Sequence, residues 1–127
     1  MIERPEGFEN DKRDCTVRAL SLAANLPYKN VHSAFEVMGR KDRQGTYGKK
    51  VLQGVCRILE IKAIQVKRSG TLKKFLIQNP KGNFWCLKRG HAFAIIDGVV
   101  HDEKNENCHI KGCWLITKAI LCGEKNE

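Results

Sequence analysis

An α+β fold is predicted for this chain, with helices in the N-terminal half and an antiparallel sheet in the C-terminal half. Two observations lead to this prediction: apolar residues recur at helical spacing before residue 60, and short strand-like runs bounded by turn residues follow it. The sequence of 127 residues contains no internal repeat and no low-complexity segment. We therefore expect one domain over residues 1–127, in which the helices pack on the sheet.

Three helices are expected in the N-terminal half. The first covers about Cys15 to Asn25 and has small residues on most of its faces, which is typical of a central, deeply packed helix. The second has Pro27 in its first turn and ends at Gly39, because glycine readily adopts the left-handed conformation that closes a helix. Within this helix, His32 is expected to face solvent. The third helix covers about 49–59.

The hydrophobic period changes after residue 60, and the remaining elements are mostly strands. They are expected at Ile61–Val66, at Asn83–Leu87, His91–Ile96 and Val99–Asp102, and at Trp114–Cys122, with a short helix that Thr71 caps after the first strand. Asp97-Gly98 lies between two apolar runs, and this dipeptide is the strongest short signal of a hairpin. We expect the strands to form an antiparallel meander.

A two-residue turn at Asp97-Gly98 would determine which side chains share a face of the hairpin, because faces alternate along each strand. Counting back from the turn pairs Ala94 with His101 and leaves His101 on the face opposite to His91. The face of His91 is then shared by Phe93, Ile95, Val100 and Asp102. The Asp102 carboxylate lies diagonal to the imidazole, within side-chain reach. We expect this face to pack against the first helix.

Cys15 follows Asp14 at the start of the first helix. Aspartate is a favoured N-cap, because its carboxylate accepts the free backbone N–H groups of the first turn. The helix dipole favours an anion there, so a thiol ionises more readily and becomes a nucleophile. We predict Cys15 as the nucleophile, His91 as the base and Asp102 as the group that orients the imidazole. The alternatives are a buried structural cysteine, a histidine at a hairpin edge and a polar strand end.

Three short motifs carry a resemblance to a known family. They are Asp14-Cys15 at the opening of a helix, a strand that starts at His91 after Gly90, and a following strand that ends in Asp102. In this order they resemble the papain-like cysteine peptidase superfamily, and most closely compact branches such as the double-glycine-leader peptidases. The chain is also similar to small phage-encoded proteins that share an Asp-Cys-x-x-Arg-Ala-Leu start and a His-Ala-x-Ala-x-x-Asp-Gly hairpin.

The resemblance implies a papain-like fold and a hydrolase that cleaves an amide, isopeptide or thioester bond. Its catalytic triad would be Cys15, His91 and Asp102, with an acyl-enzyme intermediate and no cofactor. A deamidase or a transferase would use the same residues. For a phage-encoded protein, the resemblance further implies action on a host protein.

The oxyanion hole that the resemblance implies uses the backbone N–H of Cys15 and a side-chain donor just upstream. Many relatives place a glutamine about six residues before the cysteine, where this chain has Glu9, so Asn10 is the nearest amide. Arg18 lies one turn after Cys15. It is either solvated or close enough to the thiolate to favour its ionisation.

The composition is strongly basic, with 23 Lys and Arg against 14 Asp and Glu and a net charge of +9. Because the basic residues occur as scattered doublets and aromatic residues make up only 7%, an acidic protein or peptide substrate is favoured over dedicated nucleic-acid binding. No apolar run approaches the roughly 18 residues of a membrane span, and the N-terminus shows no apolar signal segment. We expect a cytoplasmic protein, or one in the host cytoplasm if phage-encoded.

The six cysteines are not expected to form disulfides in that compartment. Cys56 and Cys86 fall in apolar patterns typical of a core. Cys108, His109 and Cys113 suggest zinc, but their spacing lacks the close ligand pairs of structural zinc sites, so no metal is predicted. Two other functions stay open at this stage: a catalytically inactive papain-fold binding or inhibitor protein, and a basic nucleic-acid-binding or zinc-stabilised domain.

Overall fold

The computed structural model describes residues 14–39, 49–66 and 70–118. Within these ranges, the helices and strands in chain order are α1 (Cys15–Ala24), α2 (Tyr28–Val37), α3 (Lys49–Leu59), β1 (Ile61–Gln65), α4 (Leu72–Gln78), β2 (Asn83–Lys88), β3 (His91–Ile96), β4 (Val99–His101) and β5 (Gly112–Lys118). The strands form one antiparallel sheet in the order β1-β5-β2-β3-β4. The α+β class is therefore confirmed.

The helix boundaries agree closely with the sequence pattern. α1 closes at Asn25, which adopts a left-handed conformation with φ of 54°, and Gly39 has φ of 101° after the end of α2. Pro27 is the N-cap of α2 and not part of its first turn. The expectation for His32 is wrong: its side chain is buried beside the ring of Tyr28, with 2% of its surface exposed. His32 therefore belongs to the packing of α2.

The β2-β3-β4 segment is the meander that the sequence predicts, including the two-residue turn. Asp97 and Gly98 have φ of 46° and 83°, and Ala94 pairs with His101. The predicted meander does not extend to the last strand, because β5 lies between β1 and β2. Most of β5 is buried, since it carries apolar side chains on both faces, and a central position covers both. The predicted continuation to Cys122 lies outside the described residues.

Two apolar clusters cover the two faces of the sheet. The face that packs against α1, α2 and α3 includes Ala92 and Ala94 of β3. The opposite face includes Phe93 and Ile95 of β3 and packs against α4. The expectation that the face of Phe93 and Ile95 packs on α1 is therefore wrong. The alanines of β3 instead meet small residues of α1 such as Ala23, which allows helix and strand to approach closely.

None of the helices in residues 14–39, 49–66 and 70–118 combines the length and the apolar character needed to cross a membrane.

Candidate active site

Asp14 occupies the N-cap of α1, as the sequence predicts, but its carboxylate makes no capping hydrogen bond. The side chain is fully buried instead. Its Oδ2 atom accepts a hydrogen bond of 2.6 Å from the hydroxyl of Tyr28, and its Oδ1 atom lies 3.0 Å from Nε of Arg18. The expectation that Asp14 caps the helix through its side chain is wrong, because the hydroxyl of Tyr28 and the ion pair with Arg18 hold the carboxylate.

Cys15 is the first residue of α1 and its side chain is partly exposed. The backbone N–H of Ala92 points at its sulfur, with a distance of 3.4 Å from N to Sγ. The start of the helix therefore faces the start of β3. Both a helix N-terminus and a backbone N–H donor stabilise negative charge on sulfur.

His91 stands between Cys15 and the end of β4. Its imidazole is hydrogen-bonded to the Cys15 side chain, and its Nε2 atom lies 2.7 Å from the main-chain oxygen of Asp102. The contact with Cys15 is the main reason that the pKa of His91 is raised above 6.5; the Asp102 carbonyl adds to this, while partial burial opposes it. A carbonyl oxygen can only accept, so Nε2 donates its hydrogen to Asp102. Nδ1 is then the nitrogen that can accept the thiol proton.

Asp102 lies beside His91, as the hairpin register predicts, but it contacts the imidazole through its main-chain oxygen and not through its carboxylate. The carboxylate does not orient His91; its Oδ2 atom lies 3.2 Å from Nη2 of Arg18, and the main-chain carbonyl faces the imidazole. The reason is that β4 ends at His101, and Asp102 adopts a left-handed conformation with φ of 71°. A positive φ interrupts the alternation of side chains on which the hairpin register depends.

The expectation that Arg18 is solvated is wrong. Its guanidinium is 14% exposed and lies between the carboxylates of Asp14 and Asp102. Two negative groups therefore share its positive charge. This arrangement links the start of α1 to the residue that contacts His91.

A second ion pair near the site is absent from the sequence prediction. Lys88 Nζ lies 2.8 Å from Oε1 of Glu103, whose side chain is only 7% exposed. Burial opposes ionisation of Glu103, but the Lys88 ammonium and the backbone N–H of Asn105 outweigh it, so the pKa of Glu103 is lowered. The pairing of β2 with β3 could have predicted that Lys88 lies near the site, because Lys88 is the direct cross-strand partner of His91.

A cavity of about 510 Å³ adjoins Asp102 and is lined by Val100, Asp102, Glu103 and Lys104. Asp102 is the residue of the site that borders this cavity, in which part of a substrate could lie. The upstream candidates for the oxyanion hole, Glu9 and Asn10, lie outside the described residues.

Of the other cysteines in the described residues, Cys108 lies near the ion pair of Lys88 and Glu103, whereas Cys86 and Cys113 belong to the core. Cys86 and Cys113 are buried in the core with 3.0 Å between their sulfurs, and His109 is exposed. No group of three or more metal-binding side chains occurs within 14–39, 49–66 and 70–118. Burial raises the pKa of Cys56 to about 11 and also raises the pKa of Cys86 and Cys108. These three thiols are therefore poor nucleophiles at neutral pH.

Comparison of the chain with protein-family models, with curated proteins and with solved structures found no match.

The contact between Cys15 and His91 predicts a measurable titration. We expect the imidazole of His91 to titrate above pH 6.5, and its pKa to fall in Cys15→Ala, because this variant removes the largest cause of the rise. NMR detection of the imidazole signals over a pH series measures both values. Cys108→Ser is the control variant and should leave the midpoint of His91 unchanged, because Cys108 is not among the causes of its raised pKa. An identical midpoint for His91 in Cys15→Ala and the parent protein would contradict the contact.

Proposed function

We propose that this chain is a papain-like cysteine hydrolase that cleaves an amide, isopeptide or thioester bond. The observation that carries the proposal is the position of His91, held between the Cys15 side chain and the main-chain carbonyl of Asp102. A nucleophile, a base in contact with it and a group that orients the base are the components of nucleophilic acyl transfer. The order Cys, His, Asp along the chain agrees with the resemblance to the papain-like superfamily.

In the first half of the reaction, Nδ1 of His91 takes the proton of the Cys15 thiol, and the sulfur attacks the substrate carbonyl carbon. The carbonyl oxygen becomes an oxyanion, which the backbone N–H of Cys15 stabilises in this proposal, with Asn10 as the candidate side-chain donor. When the tetrahedral intermediate collapses, the bond to the leaving group breaks. The leaving amine or thiolate accepts the proton from His91.

In the second half, water attacks the thioester between Cys15 and the acyl group while His91 accepts a proton from it. The thioester bond breaks, a carboxylic acid is released, and the thiol is restored. A deamidase would follow the same steps with ammonia as the leaving group, and a transferase would admit an amine or alcohol in place of water.

The proposed substrate is a protein or peptide with an acidic surface. The net charge of +9 supports this choice, because an excess of positive charge attracts acidic partners. Close to the site, Lys104 is exposed at the cavity next to Asp102. The five cysteines in the described residues are free thiols, which fits the reducing conditions of the proposed cytoplasmic location.

Hydrolysis of p-nitrophenyl acetate tests the proposal without knowledge of the natural substrate. We expect release of many equivalents of p-nitrophenolate per protein, a transient acetyl group on Cys15 detected by mass spectrometry, and loss of both in Cys15→Ser. The reason is that the alcohol of serine is far less acidic than a thiol and forms no comparable nucleophile here.

Cys108→Ser is the matched control, because Cys108 is the other partly exposed cysteine in the described residues, and the variant should hydrolyse the ester like the parent protein. Acetylation of Cys15 by one equivalent without further turnover would reject a hydrolase and indicate the inactive binding protein instead. Equal acetylation of several cysteines would also reject it.

A further inference from the structure

We propose that Arg18 is a positioning residue, which orients His91 by holding Asp102 in the conformation that aims its main-chain carbonyl at the imidazole. The inference rests on the proposed function for its catalytic meaning, and it adds a residue that acts through Asp102. Three contacts support it: the ion pair of Arg18 with the buried Asp14, the ion pair of Arg18 with Asp102, and the contact of the Asp102 carbonyl with His91.

The anchor is Asp14. Its carboxylate is fully buried and receives a hydrogen bond of 2.6 Å from Tyr28 as well as the contact of 3.0 Å from Nε of Arg18. This contact is an ion pair without the geometry of a hydrogen bond, and it holds the guanidinium of Arg18 beside a carboxylate that is itself fixed by Tyr28. The start of α1 therefore sets the position of the Arg18 head group.

The bridge runs from that head group to the other side of the site. Nη2 of Arg18 lies 3.2 Å from Oδ2 of Asp102, whose side chain is 19% exposed. Asp102 has φ of 71°, a left-handed conformation that residues with a Cβ atom rarely adopt. An ion pair to an anchored arginine opposes relaxation of this residue to an extended conformation.

The conformation of Asp102 matters because its carbonyl determines the protonation pattern of the base. With the main-chain oxygen 2.7 Å from Nε2 of His91, the neutral imidazole carries its proton on Nε2. Nδ1 then has a free lone pair toward Cys15. Without the carbonyl, the proton could occupy Nδ1, and His91 could not accept the thiol proton.

The contacts of Arg18 indicate how it would act on Cys15. Its guanidinium lies between the carboxylates of Asp14 and Asp102, and Asp102 is the residue whose carbonyl contacts His91. Its effect on Cys15 is therefore expected to pass through Asp102 and His91.

A double-mutant cycle tests whether Arg18 acts through Asp102. The variants are Arg18→Met, Asp102→Gly and the combination, and the readout is the rate of Cys15 alkylation by iodoacetamide across a pH series. Glycine permits the positive φ but removes the carboxylate that Arg18 holds. We expect each single variant to slow alkylation by about tenfold near neutral pH, and the combination to be no slower than either one. Arg57→Met, an exposed arginine of α3, is the matched control and should alkylate like the parent protein.

The tautomer of His91 provides a readout that a purely structural role would not change. In a Cys15→Ala background, ¹⁵N shifts of the neutral imidazole should show the Nε2–H form, and Arg18→Met should convert it to a mixture of both tautomers. Arg18→Lys should retain part of the effect, because an ammonium can still pair with Asp102. This measurement does not depend on hydrolysis, so it separates a failure of the positioning role from a failure of the proposed function.

Two results would overturn the inference: rate losses that multiply in the combined variant, or an unchanged tautomer in Arg18→Met. If Arg18→Met unfolds because Asp14 is left buried with its charge, Asp14→Asn with Arg18→Met removes that charge, retains an acceptor for Tyr28, and supports the same comparison. In that background too, loss of the Nε2–H preference supports the inference and its retention overturns it.

Discussion

Alanine in place of His91 is expected to slow alkylation of Cys15 near pH 7 by about a hundredfold or more. The reason is that the imidazole is the group in hydrogen-bond contact with the thiol, and removing it leaves no base to take the proton. The loss should shrink as the pH rises, because the thiol then ionises without help. Rates of iodoacetamide incorporation at Cys15, measured by peptide mass spectrometry between about pH 5 and pH 10, would show both effects.

His101→Ala is the matched control for this measurement. His101 lies on the same hairpin, but it pairs with Ala94 and belongs to the opposite face from His91. We expect its replacement to leave the alkylation profile of Cys15 unchanged. Equal slowing by both variants would mean that the hairpin, and not a specific imidazole, governs the thiol.

Alanine in place of Trp85 is expected to lower the free energy of unfolding by about 4 kcal/mol, the range found when a large aromatic side chain is removed from a core. Trp85 is 1% exposed and packs edge-to-face on Trp114, with 5.5 Å between ring centroids. Its Nε1 also donates a hydrogen bond of 3.1 Å to the main-chain oxygen of Thr16, which fastens the start of α1 to the sheet. Urea unfolding followed by circular dichroism measures the loss.

Phenylalanine in place of Trp85 and, in a separate variant, in place of Trp114 distinguishes the contribution of packing from that of hydrogen bonding. Trp85→Phe removes the donor to Thr16, whereas the indole nitrogen of Trp114 has no hydrogen-bond partner among the described residues. Both changes remove a similar volume, so Trp85→Phe should destabilise by about 1 kcal/mol more than Trp114→Phe. If the two variants lose the same stability, the bond between Trp85 and Thr16 contributes nothing to the fold.

Much of the fold follows from local signals. The helical periods place α1, α2 and α3 within a residue or two, and Thr71 caps α4 by accepting from the backbone N–H of Lys74. The Asp97-Gly98 turn predicts the register of β3 and β4 because its geometry depends on only two residues. Cys56 and Cys86 are in the core, as their apolar patterns predict.

Other features depend on contacts between distant parts of the chain. The insertion of β5 between β1 and β2 reflects competition among strands for buried positions, and no local pattern records that choice. His32 is buried because the ring of Tyr28 lies beside it in the packed helix layer. The face of β3 that meets α1 was predicted incorrectly, since alternation defines two faces but does not say which one a helix covers.

The sequence by itself determined that a cysteine begins a helix, that a histidine begins a strand, and that an aspartate lies at the end of the next one, directly after its last residue. Each of these positions follows from caps, periods and a tight turn, which act over a few residues. Only the tertiary structure decided that Asp102 meets His91 through its carbonyl and gives its carboxylate to Arg18. The reason is that one left-handed residue reverses side chain and carbonyl, and an ion pair between distant parts of the chain holds it there.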